Sequence, residues 1–425
     1  MADADFLVVG AGPSGMLSAT LLARAGFNAV VLEKASGFSR TFRGESISPD
    51  SVRILRDLGI LDRIPDDAMC SVRGTAITDA GAPVLTVDFD RLLPGFELPR
   101  EIPQDTLLAA MRSAAGGTAS AGVVDVRFGA KVVGLERRGG RVVGVRYTTD
   151  GDEHVLTAAL TIAADGRYSA VRGFAGIDFD KKMLARDFLW MKVAAPAGWD
   201  SERYQVRINR ADHVVCIPTA PNMVRLGVNI TQGGIRDLRQ RGFGAFLDRV
   251  VAAVPELSEA LAAEVTGWRD TSMLDIFTTT SPRWTMPGLV LVGDAAHTMT
   301  PVLAQGVNNA IVDALVLTDE IRAAVPPDAV VATALDAAAD RFVELRRPHV
   351  AAALAVQLRQ ERLFALQGFG AAARRLAYRV VDRLPVVQRH LWSPVYYALQ
   401  DAGNPAAIAL ERWRRFEPTP IRPRG

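Results

Sequence analysis

DFLVVGAGPSGMLSATLLARAGFNAVVLEK, residues 5–34, decides the fold of this chain. Residues 6–9 form a short apolar run of the length expected for a strand buried on both faces. Gly10, Gly12 and Gly15 then lead into a helical pattern that stops at Gly26, and a second apolar run ends in Glu33. The order of strand, glycine-rich turn, helix, strand and acidic residue predicts a dinucleotide-binding βαβ unit rather than an ordinary one.

The residue types in this unit match the chemistry of a dinucleotide. Gly10 permits a tight turn, Gly12 lets the backbone approach a pyrophosphate, and Gly15 lets the helix pack close to the strand. The helix start offers unpaired N–H groups and the positive end of its dipole to the phosphates. A carboxylate at Glu33 accepts hydrogen bonds from ribose hydroxyls.

Composition and charge describe an ordinary globular enzyme. The 425 residues suffice for roughly two to three domains. The formal net charge of +2 argues against nucleic acid as the main partner. Cys70 and Cys216 stand far apart without a CxxC pattern, so neither a disulfide framework nor a zinc site is expected. No signal peptide or spanning segment is evident, which favours a cytoplasmic enzyme. A monomer or homodimer is expected.

Alternation of apolar and polar residues, together with turn signals, predicts the secondary-structure elements along the chain and their division into three regions. A helix follows Ser48, a β-hairpin covers 72–89, and Gln104 begins another helix. Residues 180–280 are predicted to form an antiparallel sheet, with one helix at 243–261 and one strand at 273–279. We predict an α/β chain with a discontinuous Rossmann-like domain (1–71, 100–176, 281–340), an inserted antiparallel-sheet substrate domain (72–99, 177–280) and a C-terminal helical region (341–425).

Two further strand ends carry acidic residues. A buried strand delivers Asp165, and another at 288–292 delivers Asp294. In open α/β sheets ligands bind at the carboxyl ends of the strands. The helix that begins at Gly306 aims its N–H groups at an electron-rich group, so a large cofactor lying between two helix starts is expected.

The order of several segments resembles the class A flavoprotein monooxygenases, the family with the p-hydroxybenzoate hydroxylase fold. The segments are GAGPSG (10–15), Glu33, RGE (43–45), Gln104, ADGRYSAVR (164–172) and GDAAHTMTPVLAQGVNNAIVDA (293–314). The resemblance covers about three quarters of the chain. It implies that FAD is the bound cofactor and that NADPH or NADH is the reductant. One atom of O2 would then be transferred through a flavin hydroperoxide to an aromatic or polycyclic small molecule.

The resemblance also implies site residues. Those implied for cofactor binding are Gly10, Gly12, Pro13, Ser14, Gly15, Glu33, Lys34, Arg43, Gln104, Val132, Asp165, Asp294, Gly306, Val307 and Asn308. The resemblance also implies that Pro301 and His297, which both belong to the motif at 293–314, lie beside the flavin. His297 is interpreted as structural or flavin-adjacent rather than as a catalytic base, so the catalytic residue stays unassigned. Arg43 is either a surface arginine paired with Glu45 or a cation beside the cofactor.

Three other functions are alternatives to a monooxygenase. A halogenase is disfavoured, because no lysine lies between Lys34 and Lys131 and no Trp-x-Trp-x-Ile-Pro motif occurs. A reductase of the geranylgeranyl reductase type uses the same fold and stays open. A non-catalytic flavin-binding protein is less favoured, because a complete substrate region lies between the flavin motifs.

Substrate residues are predicted only from their position in the presumed sheet: Trp190, Tyr204, Arg207 and His213. The segment from Arg341 onward has 15 arginines, no lysine and six acidic residues, a net charge of +9 that leaves −7 for the rest of the chain. Its helical pattern favours a cap over the substrate domain, and contact with an anionic membrane surface is the alternative.

Overall fold

A computed structural model describes residues 2–38, 45–116, 122–209 and 212–416. Its strands are β1 (Ala4–Val9), β2 (Ala29–Glu33), β3 (Ser46–Ile47), β4 (Cys70–Ser71), β5 (Gly74–Asp79), β6 (Ala82–Asp88), β7 (Arg100–Glu101), β8 (Val124–Phe128), β9 (Lys131–Arg138), β10 (Arg141–Thr149), β11 (Asp152–Ala163), β12 (Asp180–Met183), β13 (Arg186–Ala194), β14 (Arg203–Asn209), β15 (Asp212–Thr219), β16 (Met223–Thr231), β17 (Ser272–Leu274), β18 (Phe277–Thr280), β19 (Thr285–Met286) and β20 (Leu289–Leu291).

The helices are α1 (Pro13–Arg24), α2 (Pro49–Asp57), α3 (Phe89–Leu92), α4 (Gln104–Ser113), α5 (Ala170–Phe174), α6 (Ile235–Arg241), α7 (Phe243–Ala253), α8 (Ser258–Glu264), α9 (Gln305–Ala324), α10 (Ala332–Ala365), α11 (Gly368–Asp382), α12 (Pro385–Tyr396) and α13 (Pro405–Arg414). Short 3₁₀ turns join several of them. No helix in the described ranges is long and apolar enough to cross a membrane.

An eight-stranded sheet carries the first motif. Its path is β19-β20-β11-β1-β2-β8. β10 pairs antiparallel with β11, and β9 pairs antiparallel with β10. The pairs β1–β2, β1–β11 and β11–β20 are parallel, so the carboxyl ends of these strands meet at one edge. Every residue of β1 and β2 is buried, as expected for strands covered on both faces.

A seven-stranded sheet, β17-β13-β16-β15-β14-β5-β6, forms the second layer. One face packs on α6–α8 through a core that includes Leu226, Phe246, Val250 and Leu261. The helix predicted over 243–261 was wrong in one respect: it breaks after Ala253, because Pro255 lacks the N–H that a continuous helix needs.

The strand predicted over 273–279 was also wrong in extent. It divides into β17, which pairs with β13 of the seven-stranded sheet, and β18, which pairs with β12 in a separate two-stranded sheet. Asp187 explains the break, because one of its carboxylate oxygens accepts a hydrogen bond of 3.0 Å from the backbone N–H of Ile276 between the two strands. The chain leaves the larger sheet at that point.

The C-terminal helices bind both sheets. α10 lies along α9, and α11 packs on the β5–β6 hairpin together with α12. The predicted boundary between residues 340 and 341 falls inside α10, so a domain division there would cut one helix. The three-part division of the chain remains our proposal.

One buried ion pair fastens α11 to the hairpin. Asp79 of β5 accepts a hydrogen bond of 2.6 Å from Arg374, and both side chains are almost fully buried. Arg375 also reaches Asp79, at 3.3 Å, but its side chain is 33% exposed. Removing one partner of a buried pair leaves an unpaired buried charge, whereas removing a half-exposed partner costs little.

We therefore expect Arg374→Ala to lower the free energy of unfolding by about 3 kcal/mol, and the matched control Arg375→Ala by less than about 1 kcal/mol. Urea unfolding followed by circular dichroism measures both. Equal losses in the two variants would contradict the assignment of the docking contact to Arg374.

Candidate active site

The glycine-rich turn is held by close backbone contacts. Gly10 has φ +100°, and a Cβ there would collide with the carbonyl of Ala164, which follows β11. A Cβ at Gly15 would collide with the carbonyl oxygen of Gly10. Gly12 precedes α1, and no side chain in the described ranges caps that helix start. The turn therefore presents backbone N–H groups rather than side chains.

Glu33 lies beside this turn at the end of β2. Its buried carboxylate accepts hydrogen bonds from the N–H groups of Ala11, at 2.8 Å, and Ala35, at 3.0 Å. The residue thus ties the glycine turn to the neighbouring strand, a role that sequence reasoning did not anticipate. Lys34, the next residue, is exposed.

The Gly293–Asp294 turn lies against the start of α1. Gly293 has φ +57°, and a Cβ there would lie 2.9 Å from the hydroxyl oxygen of Ser14. Asp294 approaches the start of α9, with its Oδ1 3.9 Å from the Cβ position of Gly306, and it pairs with Arg167 at 3.6 Å. The structure therefore brings both helix starts and Asp294 together.

Asp165 stabilises the turn between β11 and α5. Its carboxylate accepts hydrogen bonds from the Ser169 hydroxyl, at 2.5 Å, and from the N–H of Val171, at 3.0 Å. Burial raises the pKa of Asp165, although these hydrogen bonds oppose the shift. Within this motif it is Arg167 that reaches Asp294, while Asp165 fixes the start of α5.

The start of α9 is shaped by an unusual approach. Leu303 and Ala304 both have left-handed backbones, with φ +60° and +51°. Asn308 holds the turn: its Nδ2 donates to the carbonyls of Ser46, at 3.2 Å, and Ala304, at 2.7 Å, while its Oδ1 accepts from the N–H of Ser48, at 2.8 Å. The first turn contains no acidic residue, so its positive dipole end faces no carboxylate of its own helix.

His297 belongs to a buried network behind this turn. Its Nε2 lies 2.7 Å from Asp313, which also accepts hydrogen bonds of 2.9 Å from the N–H of Gly293 and 2.8 Å from Arg346. Burial acts to raise the pKa of Asp313, but His297 and Arg346 outweigh it and hold the pKa at about 2. His297 is only 3% exposed, so its bonded position supports the Gly293 turn.

Gln357 of α10 was not found from the sequence. It is fully buried, and its amide nitrogen donates to the carbonyls of Thr300, at 2.9 Å, and Val302, at 2.5 Å. These two carbonyls flank Pro301, which is partly buried. A lone glutamine far along the chain gives no sequence signal, because only the packing of α10 brings it to the Pro301 loop.

Four further residues were predicted to bind the cofactor: Gln104, Val132, Val307 and Arg43. Gln104 begins α4 and is buried, and its Oε1 has no hydrogen-bond partner in the described ranges. Val132 lies on β9 just after Ala130, whose N–H donates to the carbonyl of Glu33 at 2.9 Å. Val307 follows Gly306 in the first turn of α9 and is buried. Arg43 lies outside the described residues.

The four predicted substrate residues do not share one face. Tyr204 and His213 lie on the same face of the seven-stranded sheet as Trp190, whose indole packs over Gly227. Arg207 lies on the opposite face, where it contacts Gln205 and Glu256. Arg207 therefore does not share a face with the other three, because side chains separated by three positions along a strand point to opposite faces. Its role toward a substrate stays a prediction.

A buried charge cluster lies at the edge of the face that carries Trp190. Arg225 pairs with Glu45 at 2.8 Å and with Glu101 at 3.1 Å, and Glu101 accepts a hydrogen bond of 2.8 Å from the Tyr204 hydroxyl. Burial raises the pKa of Glu101 to about 7, against the attraction of Arg225. Glu45, which directly precedes β3, thus pairs with Arg225 of the seven-stranded sheet.

His213 lies on the same sheet face as Trp190 and contacts helix α10. Its ring lies 5.5 Å from that of Phe364 on α10, and its Nδ1 is 2.6 Å from Arg186. Burial and the nearby Arg186 lower the pKa of His213 to about 3. The imidazole is therefore neutral at ordinary pH and acts as a packing and hydrogen-bonding group.

These features fit FAD. A turn in which Cβ atoms at Gly10 and Gly15 have no room brings backbone N–H groups to a pyrophosphate. Both α1 and α9 start without a side-chain cap in the described residues, so each has N–H groups free for an electron-rich ligand. Gln104 supplies a buried acceptor that lacks a protein partner in the described ranges.

Comparison with known proteins agrees with a site for FAD. The family model described as FAD binding domain matches residues 3–364. The 6-methylpretetramide 4-monooxygenase of Streptomyces rimosus is 33% identical over 96% of this chain and 97% of its own. The probable NADH-specific resorcinol 4-hydroxylase of Rhodococcus jostii is 24% identical over 89% of this chain and 69% of its own. The structure of P. aeruginosa PqsL in complex with 2-aminobenzoylacetate matches in fold, with a TM-score of 0.74, 22% identity and coverage of 89% and 99%.

The chain belongs to the FAD binding domain family, and within it to the class A FAD-dependent monooxygenases. It is an enzyme, an oxidoreductase that uses FAD. The predicted family, fold class and flavin cofactor are thereby confirmed. The roles of individual residues toward FAD remain proposals.

Replacing Glu33 with Ala removes the acceptor that holds the glycine turn, so we expect the purified variant to retain less than a tenth of the FAD of the parent. Asp294→Ala should lower FAD content as well. Asp152→Ala, exposed at the other end of the sheet, is the control. Flavin absorbance per protein measures all three, and unchanged flavin in Glu33→Ala and Asp294→Ala would refute these assignments.

Gln357→Leu leaves two buried carbonyls without donors, which costs about 1–3 kcal/mol for each. If the Pro301 loop contacts the flavin, we expect the Kd for FAD to rise at least tenfold in a fluorescence titration. Gln360→Leu is a matched control on the same helix, because Gln360 donates to the Tyr378 hydroxyl at 2.9 Å and lies away from the loop. An equal rise in both variants would show that Gln357 has no special role.

Proposed function

We propose that this enzyme hydroxylates or epoxidises a polycyclic aromatic metabolite, with O2 as oxygen donor and NADH or NADPH as reductant. The observation that carries the proposal is the near full-length similarity to the 6-methylpretetramide 4-monooxygenase, 33% identical over 96% of this chain. The name of the resorcinol hydroxylase relative supports a nicotinamide reductant. Cytoplasmic location and a monomeric or dimeric state stay predictions.

The geometry supports a large aromatic substrate. Phe188, Trp190, Ile217 and Ile276 form an apolar cluster on one face of the seven-stranded sheet, and the Phe188 and Trp190 rings stack 5.9 Å apart. Aromatic rings stack on aromatic side chains and gain from burial of apolar surface. A polycyclic substrate fits such a surface better than a small charged one.

Hydrogen bonds connect this face to the start of α9. Arg225, whose guanidinium lies 5.3 Å from the Trp190 ring, donates to the Ser46 hydroxyl at 3.4 Å. The carbonyl of Ser46 in turn accepts from Asn308 at 3.2 Å. On the other side, Gln357 contacts the Pro301 loop and Phe364 of the same helix contacts His213. These contacts support our proposal that the aromatic face lies toward the flavin.

FAD, when bound, supplies the reduction of O2 and the transfer of one oxygen atom. The residues of this chain bind and orient the reactants and exclude water. The N–H groups at the start of α9, which no side chain caps in the described residues, would stabilise negative charge on the bound cofactor. Trp190 and the apolar cluster around it hold the substrate ring, and the Arg225–Glu101 pair fixes the edge of that surface.

Substituting Trp190 tests the proposed substrate face. We expect Trp190→Leu to raise KM for a polycyclic phenol by about tenfold, equivalent to ~1.4 kcal/mol, with FAD content unchanged. Trp199→Leu, on the α6–α8 side of the sheet, is the matched control. Steady-state consumption of NADH or NADPH and O2 measures both, and equal KM values for the two variants would place the substrate elsewhere.

A further inference from the structure

The outer side of α11 and α12 is unusually apolar for a helix surface. Eight of the 17 exposed large apolar residues in the described ranges lie between 366 and 391: Leu366, Phe369, Leu376, Val380, Leu384, Val386, Val387 and Leu391. Phe369 is 91% exposed and Val386 82%. We call this set the outer apolar face. Eight exposed apolar side chains within 26 residues of chain are typical of a binding surface, whereas single exposed apolar residues are ordinary.

Helical spacing explains why the α11 part of the outer apolar face is not buried against the β5–β6 hairpin. Ala371, Arg374 and Tyr378 are the buried residues of α11, and they pack toward the β5–β6 hairpin. Phe369, Leu376 and Val380 follow at spacings of seven and four, which places them together on the opposite side. The inner face of α11 thus caps the hairpin, and the apolar outer face is left over.

Positive charge accompanies the outer apolar face. Residues 359–391 contain seven arginines, no lysine and two acidic residues. Arg374 is used internally by Asp79, whereas Arg359, Arg362, Arg379, Arg383 and Arg389 are exposed. By helical spacing Arg379 and Arg383 border the strip formed by Phe369, Leu376 and Val380. The surface is therefore apolar with a cationic margin.

This charge pattern discriminates between occupants. A second copy of the chain, related by a twofold axis, would place the same surface opposite itself and bring these arginines together, which is unfavourable. An anionic lipid surface complements both features, because arginines attract acidic headgroups while the protruding apolar side chains enter the boundary between headgroups and acyl chains. Highly exposed side chains such as Phe369 and Val386 suit insertion.

We propose that α11 and α12 bind the surface of an anionic lipid bilayer through the outer apolar face and its arginine margin. The helices lie on the bilayer and do not span it. The inference is independent of the proposed substrate, because it rests on residues that lie outside the cofactor site.

Vesicle binding by the FAD-loaded full-length protein tests the proposal. We expect cosedimentation with vesicles of equal parts phosphatidylcholine and phosphatidylglycerol, at least tenfold weaker binding to pure phosphatidylcholine, and release in 0.5 M NaCl. The double variant Phe369→Ser/Val386→Ser should bind at least tenfold more weakly, and Arg379→Glu/Arg383→Glu should not bind. Val155→Ser, 55% exposed on β11, is the control and should bind like the parent.

Three results would overturn the proposal. The first is failure of the parent protein to bind phosphatidylglycerol vesicles. The second is unchanged binding by Phe369→Ser/Val386→Ser, which would reduce the contact to charge alone. The third is a parent dimer in analytical ultracentrifugation that becomes a monomer in this variant, which would identify the outer apolar face as an interface between copies. FAD content, measured in every sample, verifies that each variant is folded.

Discussion

The close approach of three backbone segments at Gly10, Gly15 and Ala164 is the constraint on which the site depends. Neither glycine leaves room for a Cβ, so α1 begins in contact with the turn that follows β1 and with the end of β11. Ser14 then meets Gly293, and the Gly293 turn is held in turn by Asp313. A single steric requirement thereby sets the distance between the two helix starts that face the proposed cofactor.

The long helix α10 carries this arrangement to the substrate sheet. Arg346, Gln357 and Phe364 follow one another along the helix at spacings that keep them on similar sides. Arg346 binds Asp313 behind the Gly293 turn, Gln357 binds the Pro301 loop, and Phe364 packs on His213 of the seven-stranded sheet. One helix therefore contacts the Gly293 turn, the Pro301 loop and the seven-stranded sheet, which connects the C-terminal region to the proposed site.

Much of the fold could be predicted from the sequence, because local patterns determine it. The buried apolar runs, the glycine turn and the cap at Ser48 act within a few residues, and the first strand, the first helix and the helix after Ser48 agree with prediction. The single helix at 243–261 failed because Pro255 outweighs its apolar pattern. The strand predicted over 273–279 failed because Asp187 binds the backbone of Ile276 from 89 residues away in sequence.

The site was predictable only where a motif encodes it. Glu33, Asp294 and the start of α9 stand in recognisable segments. Gln357 and Arg346 reach their partners only through the packing of α10, and the Arg225–Glu101 pair joins two separate sheets. Arg207 shows the converse limit: membership of the right sheet does not determine which face a side chain takes, because one residue of shift reverses it.

Incorporation of ¹⁸O from ¹⁸O2 tests the central claim most directly. The purified FAD-loaded protein is supplied with NADH or NADPH and a polycyclic phenol, and the product is analysed by mass spectrometry. The account predicts one ¹⁸O atom per product molecule and one reductant oxidised for each. A product that has gained two hydrogens and no label would contradict it and identify a flavin-dependent reductase.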